Sequence, residues 1–310
     1  MRVHSYDCGS DKKRYNFRIA SAKAFFHPNQ NAMTTPFRLF ISCLLYLVLP
    51  LTSGYGSENN APSAEQNRKA GERMVLMIQD VEYAFRWCPA GTFMMGSLAN
   101  ELGDQAQHQV TLTHGFWMLE TVMTQLMWEK TMGNNPSLFK GSKLPVETVS
   151  WNNCQEYITK LNALLAGTPG VPAGYKFSLP TEAQWEYACR AGTTTAYHFG
   201  DSLNQDQANF GTNFGRNVQK TTEVGIYPAN AWGLYDMHGN VSEWCADWYG
   251  DYPSGAVTDP TGATFGSNRV VRGGRAIVNA GGFRSADRSS TAPSSRGDGI
   301  GFRLALVRAE

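Results

Sequence analysis

Gly233-Leu-Tyr-Asp-Met-His-Gly-Asn-Val-Ser-Glu-Trp244 is the stretch whose reading decides the fold. Within it, Asp236, Gly239, Val241 and Glu243 follow one another at spacings of three, two and two. Two carboxylates that bracket backbone carbonyls in a tight turn supply hard oxygen ligands, the set that Ca²⁺ takes. The same letters also spell a type I turn, whose ordinary signature is Asp at the first position and Gly at the fourth. Acidic groups at both ends favour the ion, in a structural role that ties down loops.

The chain around this turn has 310 residues, 42% hydrophobic and 17% charged, with a formal net charge of +1. That length and apolar content support a genuine core in one large domain or two small ones. They exclude a disordered tail protein, a coiled coil and a polytopic membrane protein, and the balanced charge argues against nucleic acid as a partner. Thirteen Tyr, sixteen Phe and eight Trp beside 31 Gly point to a loop-rich mixed fold with aromatic rings inside. Residues 1–54 hold seven Lys or Arg against two acidic side chains, which leaves the remainder mildly acidic, near −4.

Those first 54 residues do not read as a domain. The apolar run 39–51 is too short to span a bilayer and suits the core of a secretory signal. Arg38 precedes it and Thr52, Ser53 and Gly54 follow, and Met33 lies where a normal signal would start, so translation is expected to begin there. An uncleaved anchoring helix is the alternative, and it would be the only contact with a membrane. Residues 55–80, rich in Ser, Asn, Glu and Gly as far as 72, read as a linker, and 81–310 as the folded domain. Export to a periplasmic, cell-surface or secreted location would put Cys88, Cys154, Cys189 and Cys245 in an oxidising compartment, where four thiols allow three pairings. No C-x-x-C is present, which argues against zinc or thioredoxin-type sites.

Trp87–Ser97 and His108–His114 alternate apolar and polar side chains between glycines, as antiparallel strands do. A short helix is expected after Thr124, ending at Gly133. A second runs from Ser150 to Ala166, with Cys154, Tyr157, Ile158, Leu161, Leu164 and Leu165 on one face and Gly167 as its stop. Thr181 and Gln184 form a capping box for a third, ended by Gly192. Its Glu182 and Glu186, four residues apart, read as a solvated face. Little after it is helical, so the fold class is α+β with short antiparallel strands and much irregular chain.

Six segments taken together resemble the formylglycine-generating enzyme family, also called sulfatase-modifying factor domains, which share a C-type-lectin-like fold. They are Pro89–Gly96, Leu144–Trp151, Leu179–Ala188, Gly233–Trp244, Arg272-Gly-Gly274 and Gly301-Phe-Arg303, in the family's order. The resemblance implies calcium at Asp236, Gly239, Val241 and Glu243. It implies a second calcium site whose first ligands fall on Asn209 and Phe210, but whose acidic ligand falls on Arg216, a cation that cannot bind Ca²⁺. The family's oxidases hold copper with two cysteines shortly after Arg-Gly-Gly, because soft thiolates select Cu(I). Here no cysteine follows Cys245, so neither copper nor formylglycine-generating activity is expected. The iron-dependent branch uses a histidine cluster on an added domain. Here His108 and His114 share a strand face, and His198 and His238 read as isolated loop residues.

Residues 275–299 contain no Trp, Met, Lys, Glu or Gln, the five residue types that codons ending in cytosine cannot encode. This is similar to the variable proteins of diversity-generating retroelements, in which Asn codons between Arg-Gly-Gly and Gly-Phe-Arg are randomised at their adenines. Either such diversification or drift in a retired active site accounts for the composition. The candidate ligand-binding residues are Arg275, Ala276, Ile277, Val278, Asn279, Gly281, Gly282, Phe283, Asp287, Ser289, Ser290, Thr291, Ser295 and Asp298. An apolar patch at Ala276, Ile277, Val278 and Phe283, beside Arg275 and Arg284, makes a contact face. The expectation is an exported, non-catalytic domain with structural calcium that binds a protein or cell-surface ligand. The alternatives are an oxidoreductase acting on a protein cysteine and an envelope scaffold.

Overall fold

Gln79 and Asp80 carry positive φ angles of 52° and 63° and fold the first two strands into a tight hairpin. Arg73–Ile78 (β1) and Val81–Cys88 (β2) pair antiparallel across it. Along β2 the buried side chains Val81, Tyr83, Phe85 and Trp87 alternate with more open ones, the period of two that a half-buried strand demands. The computed structural model describes residues 65, 67–97, 106–211, 220–275 and 282–309. Met33 and the apolar run 39–51 lie outside the described residues. Among those described, no helix is long and apolar enough to cross a membrane.

The order continues with strands Gly91–Met95 (β3), His108–Leu112 (β4) and Phe116–Leu119 (β5), then helices Gln125–Met132 (α1) and Trp151–Ala163 (α2). Tyr175–Ser178 (β6) and helix Glu182–Arg190 (α3) follow. After α3 come strands Ser242–Trp248 (β7), Val257–Thr258 (β8), Arg269–Arg272 (β9), Arg288–Thr291 (β10), Ile300–Gly301 (β11) and Ala305–Arg308 (β12). They form a five-stranded sheet in the order β1-β2-β5-β12-β6, a four-stranded sheet β10-β9-β7-β11 and a three-stranded sheet β3-β4-β8. The α+β class is therefore as expected, and β3 pairs antiparallel with β4 as their alternation implied. The sheet begins at Arg73, inside the span read as linker, because Leu76 and Ile78 bury themselves against β2.

All three helices start at side-chain caps. Thr124 accepts from the Met127 amide, Ser150 and Asn153 cap one another, and so do Thr181 and Gln184. Helix α2 stops at Ala163, short of Ala166, and a single 3₁₀ turn at Leu165–Gly167 takes over. Leu164 is accordingly exposed, whereas Cys154, Tyr157, Ile158 and Leu161 enter the main core. There the Trp128 ring stacks on Tyr157 at 5.3 Å, and the Tyr157 and Tyr83 hydroxyls share a 2.6 Å hydrogen bond. A second apolar cluster joins α3 to β4, β5 and β7, and a small third one gathers Tyr197, Ala208, Phe210 and Phe283.

Helix α3 departs most from its sequence reading. Glu182 is 3% exposed and Glu186 fully buried, so the face read as solvated points into the protein. The cause lies in arginines distant in sequence: Arg272 of β9 pairs with Glu186, and Arg288 of β10 grips Glu182 through Nε and Nη2 at 2.7 and 2.6 Å. A third buried pair, Arg303 with Glu243, holds the Gly-Phe-Arg segment to β7 through hydrogen bonds of 2.7 Å to each carboxylate oxygen. Among the described residues the four cysteines, Cys88, Cys154, Cys189 and Cys245, are free, buried thiols.

Candidate functional site

The Arg272-Gly-Gly274 motif closes β9 with two glycines in the left-handed region, φ 87° and 72°. Arg272 turns inward, where Nη1 donates to the carbonyls of Ala286 and Asp287 and Nη2 to that of Ser285. One guanidinium thereby fixes both ends of the excursion that leaves β9 and returns as β10. The returning turn is closed by Asp287, whose carboxylate accepts from the Arg284 amide and guanidinium. Strand β10 then pairs with β9 from Arg288–Arg272 to Thr291–Arg269.

Over these two strands opens a cavity of about 500 Å³. Six of the expected ligand-binding residues line it: Arg275, Gly282, Asp287, Ser289, Ser290 and Thr291. Ser289 is exposed and Ser290 and Thr291 are half-buried, so their hydroxyls are available at the wall. Ser295 and Asp298 fall beyond this lining, and Ala276, Ile277, Val278, Asn279 and Gly281 lie outside the described residues. Phe283 corrects the expectation of an apolar contact face. It is completely buried, packed against Phe210 and under Gly274, where an added Cβ would meet its ring at 2.4 Å. It anchors the segment from beneath. Ser242, Val271, the Gly-Gly pair, Arg288 and Ile300 also line the cavity. The Arg-Gly-Gly motif was a usable signal for part of this set. Nothing in the sequence marked Ile300.

His198 and His238 are likewise not isolated. Their rings stack at 4.7 Å, and the His238 Nδ1 lies 2.6 Å from the Phe283 carbonyl, so the pair supports the same segment. Burial pushes both imidazoles down, His238 to about 4 and His198 to about 3, and keeps them neutral. His108 and His114 part company: the first is buried against Tyr252 at 4.7 Å, the second exposed. Burial also raises all four thiols, Cys189 to about 12, which disfavours thiolate at each.

The turn 236–243 can be tested against calcium on its own geometry. Asp236 and Asn240 take left-handed φ values of 56° and 68°, and Gly239 one of 96° with no room for a Cβ, since the Asn209 carbonyl would lie 2.5 Å away. Asp236 is 7% exposed; its Oδ2 accepts from the Gly225 amide, and its Oδ1 has no partner. A buried carboxylate oxygen with no donor is what a hard cation would satisfy, so the residues present fit Ca²⁺ at this end. Glu243 is differently placed: Arg303 holds both of its oxygens, and the Trp185 indole donates to Oε2 at 2.9 Å. Any ion there shares Glu243 with a guanidinium. Asn209 and Phe210, the expected start of a second site, are committed to the Lys220 carbonyl and to the Phe283 cluster, and Arg216 lies outside the described residues.

Residues 81–308 match the sulfatase-modifying factor enzyme 1-like domain. The chain belongs to that family. Mouse formylglycine-generating enzyme is 31% identical over 229 residues, 69% of this chain and 57% of the mouse protein. The serine/threonine-protein kinase pkn1 of Chlamydia caviae is 40% identical over 144 residues, 45% of this chain and 22% of the kinase. The chain thus spans less than two thirds of either relative. Among solved structures, Treponema denticola variable protein 1 aligns with a TM-score of 0.67 and 29% identity, covering 76% of this chain and 99% of that one. PvdO from Pseudomonas aeruginosa aligns at 0.64 and 27%, covering 77% and 99%.

Asp247, on β7 beside the Glu182–Arg288 pair, supplies a pH prediction. Burial first, and the Glu182 charge second, push its carboxyl up to about 7. A raised acid is favoured in its neutral form by the fold, so its contribution is complete below the unfolded value near 4 and is lost as pH rises through about 7. Melting temperature measured across that window should therefore fall with rising pH in the wild type, and less steeply in Asp247→Asn. Parallel curves would refute the assignment.

Proposed function

We propose that this domain is an exported binding protein, which holds a protein or cell-surface ligand on the surface over β9 and β10 and does not oxidise cysteine. The observation that carries this reading is the cavity of about 500 Å³ formed by the Arg-Gly-Gly turn and β10. Its wall offers the Ser242, Ser289, Ser290 and Thr291 hydroxyls and the half-buried Arg275 guanidinium, groups suited to recognition by hydrogen bonds. The chemistry of a copper oxidase calls for paired thiolates there, and the sequence has no cysteine after Cys245. The likeness to Treponema denticola variable protein 1 supports a binding role on this scaffold. The test places Arg at Ser289 and Thr291, which face the cavity without filling the core. Ligand capture from surface extracts should drop at least tenfold with melting temperature unchanged. Copper-dependent turnover of a cysteine peptide by the wild type would overturn the reading.

Calcium belongs to the same proposal. Asp236 Oδ1 and the Gly239 and Val241 carbonyls would hold the ion, with Glu243 contributing beside Arg303. Bound there, Ca²⁺ supplies the positive charge that the buried Asp236 lacks. Glu243→Ala is a poor test, because it strands Arg303 in the core, a loss on the order of 3–5 kcal/mol whatever the metal does. Asp236→Asn is cleaner. Chelator should lower the melting temperature of the wild type and leave Asp236→Asn unmoved; a wild type indifferent to chelator removes calcium from the account.

The finer reading is that residues 275–299 are diversified by a retroelement, which their codon-compatible composition supports. Sequencing the gene and its flanks decides it. Diversification requires codons ending in C throughout the altered positions and a nearby copy with AAC codons beside a reverse-transcriptase gene. Mixed third bases and no copy would leave drift.

A further inference from the structure

A second cavity, of about 310 Å³, opens where residues 260–263 fold back on Trp248 beside the sheet of β3, β4 and β8. Met95, Val257 and Pro260 give it apolar walls. Its polar side chains include Glu182, Asp247, His108 and Arg288, which differ in what they already bond, with Asp251 and Thr261 at exposed positions on the rim.

Glu182 and Arg288 answer one another through two hydrogen bonds, and the Tyr252 hydroxyl adds a third to Glu182 at 3.2 Å. That pair is neutral as a unit. Asp247 is 3% exposed, and its Oδ2 accepts from the Glu182 amide at 2.8 Å. His108 is 6% exposed, and its Nδ1 lies 3.2 Å from the Ala106 carbonyl. A carbonyl can only accept, so Nδ1 carries a proton, and in the neutral ring Nε2 is then an acceptor. Once Asp247 is ionised, the buried capacity left unused here is for accepting hydrogen bonds, at a carboxylate and an imine nitrogen, against an apolar wall.

We propose that this cavity binds a small organic ammonium, whose N–H groups donate to Asp247 and to His108 Nε2 while its apolar body lies against Met95, Val257 and Trp248. Charge-assisted hydrogen bonds to a desolvated carboxylate are the strong kind, and they require the ligand's positive charge. The site does not depend on the ligand surface over β9 and β10, although Arg288 borders both cavities. A lysine side chain of another protein and a free amine share this chemistry.

The test titrates the full chain with benzylammonium and with benzyl alcohol, its uncharged counterpart, by calorimetry and by NMR shifts of the Trp248 indole. Two variants accompany it. Asp247→Asn keeps an acceptor for the Glu182 amide, and Ala263→Phe fills the mouth of the cavity from a half-buried position. Benzylammonium should saturate the wild type at millimolar affinity, with benzyl alcohol and Asp247→Asn each weaker by about tenfold or more. Ala263→Phe should abolish binding while melting like the wild type. N-acetyl-lysine methylamide binding more tightly than benzylammonium assigns the ammonium to a protein side chain, and the reverse order assigns it to a free amine; both uphold the site. Equal binding of the alcohol, unchanged binding in both variants, or no saturation by benzylammonium overturns it.

Discussion

The candidate surface depends on two carboxylates one helical turn apart. Glu182 and Glu186 leave α3 in the same direction and are met by Arg288 and Arg272, one from each strand of the β9–β10 pair. Taking such charges from water costs several kcal/mol per ion, and good geometry with every remaining donor satisfied is what offsets it. That condition is nearly met. Arg272 spends its other donors on the carbonyls of residues 285 to 287, and Glu186 also accepts from Arg190 and from the Gly96 amide. A helix, two strands and the end of β3 are thereby fixed by one network, with Arg272 Nε its single unpartnered donor. The Glu243–Arg303 pair does the same for the turn 236–243 and the Gly-Phe-Arg segment.

This network marks where sequence reading works and where it stops. The caps at Thr124, Ser150 and Thr181 are local: side chain and amide lie three residues apart, and the letters alone place them. Alternation in β2, β3 and β4 is local too. The meaning of Glu182 and Glu186 is not, because the arginines that bury them stand 106 and 86 residues away. A pair of acids at that spacing on an isolated helix faces water, and only tertiary structure reverses it. His198 and His238, forty residues apart in irregular chain, escape for the same reason. β1 was hidden differently: its two core residues, Leu76 and Ile78, follow a polar stretch whose composition outweighs so short a signal.

The candidate surface was half legible. Arg-Gly-Gly located it and the composition of residues 275–299 outlined it, yet composition treats all positions of a segment alike. The structure separates them. Phe283, Asp287 and Arg288 are tied down by packing or pairing, while Ser289, Ser290 and Thr291 stand at the cavity wall. Along β10 alternation supplies part of this division, setting Arg288 and exposed Ser289 on opposite faces.

The division bears on what variation the segment can sustain. Replacing Arg288 would leave Glu182 buried without its bidentate partner, and replacing Phe283 would open a hole beneath Gly274 and beside the histidine pair. Either loss is structural before it is a change of ligand. Replacing Ser289 touches neither core nor ion pair. A codon window is therefore not the same object as a variable surface: the chemistry of the floor holds some of its positions to one residue whatever the gene permits. Diversity or drift tolerated at the others is the consequence of a floor made rigid by buried charge.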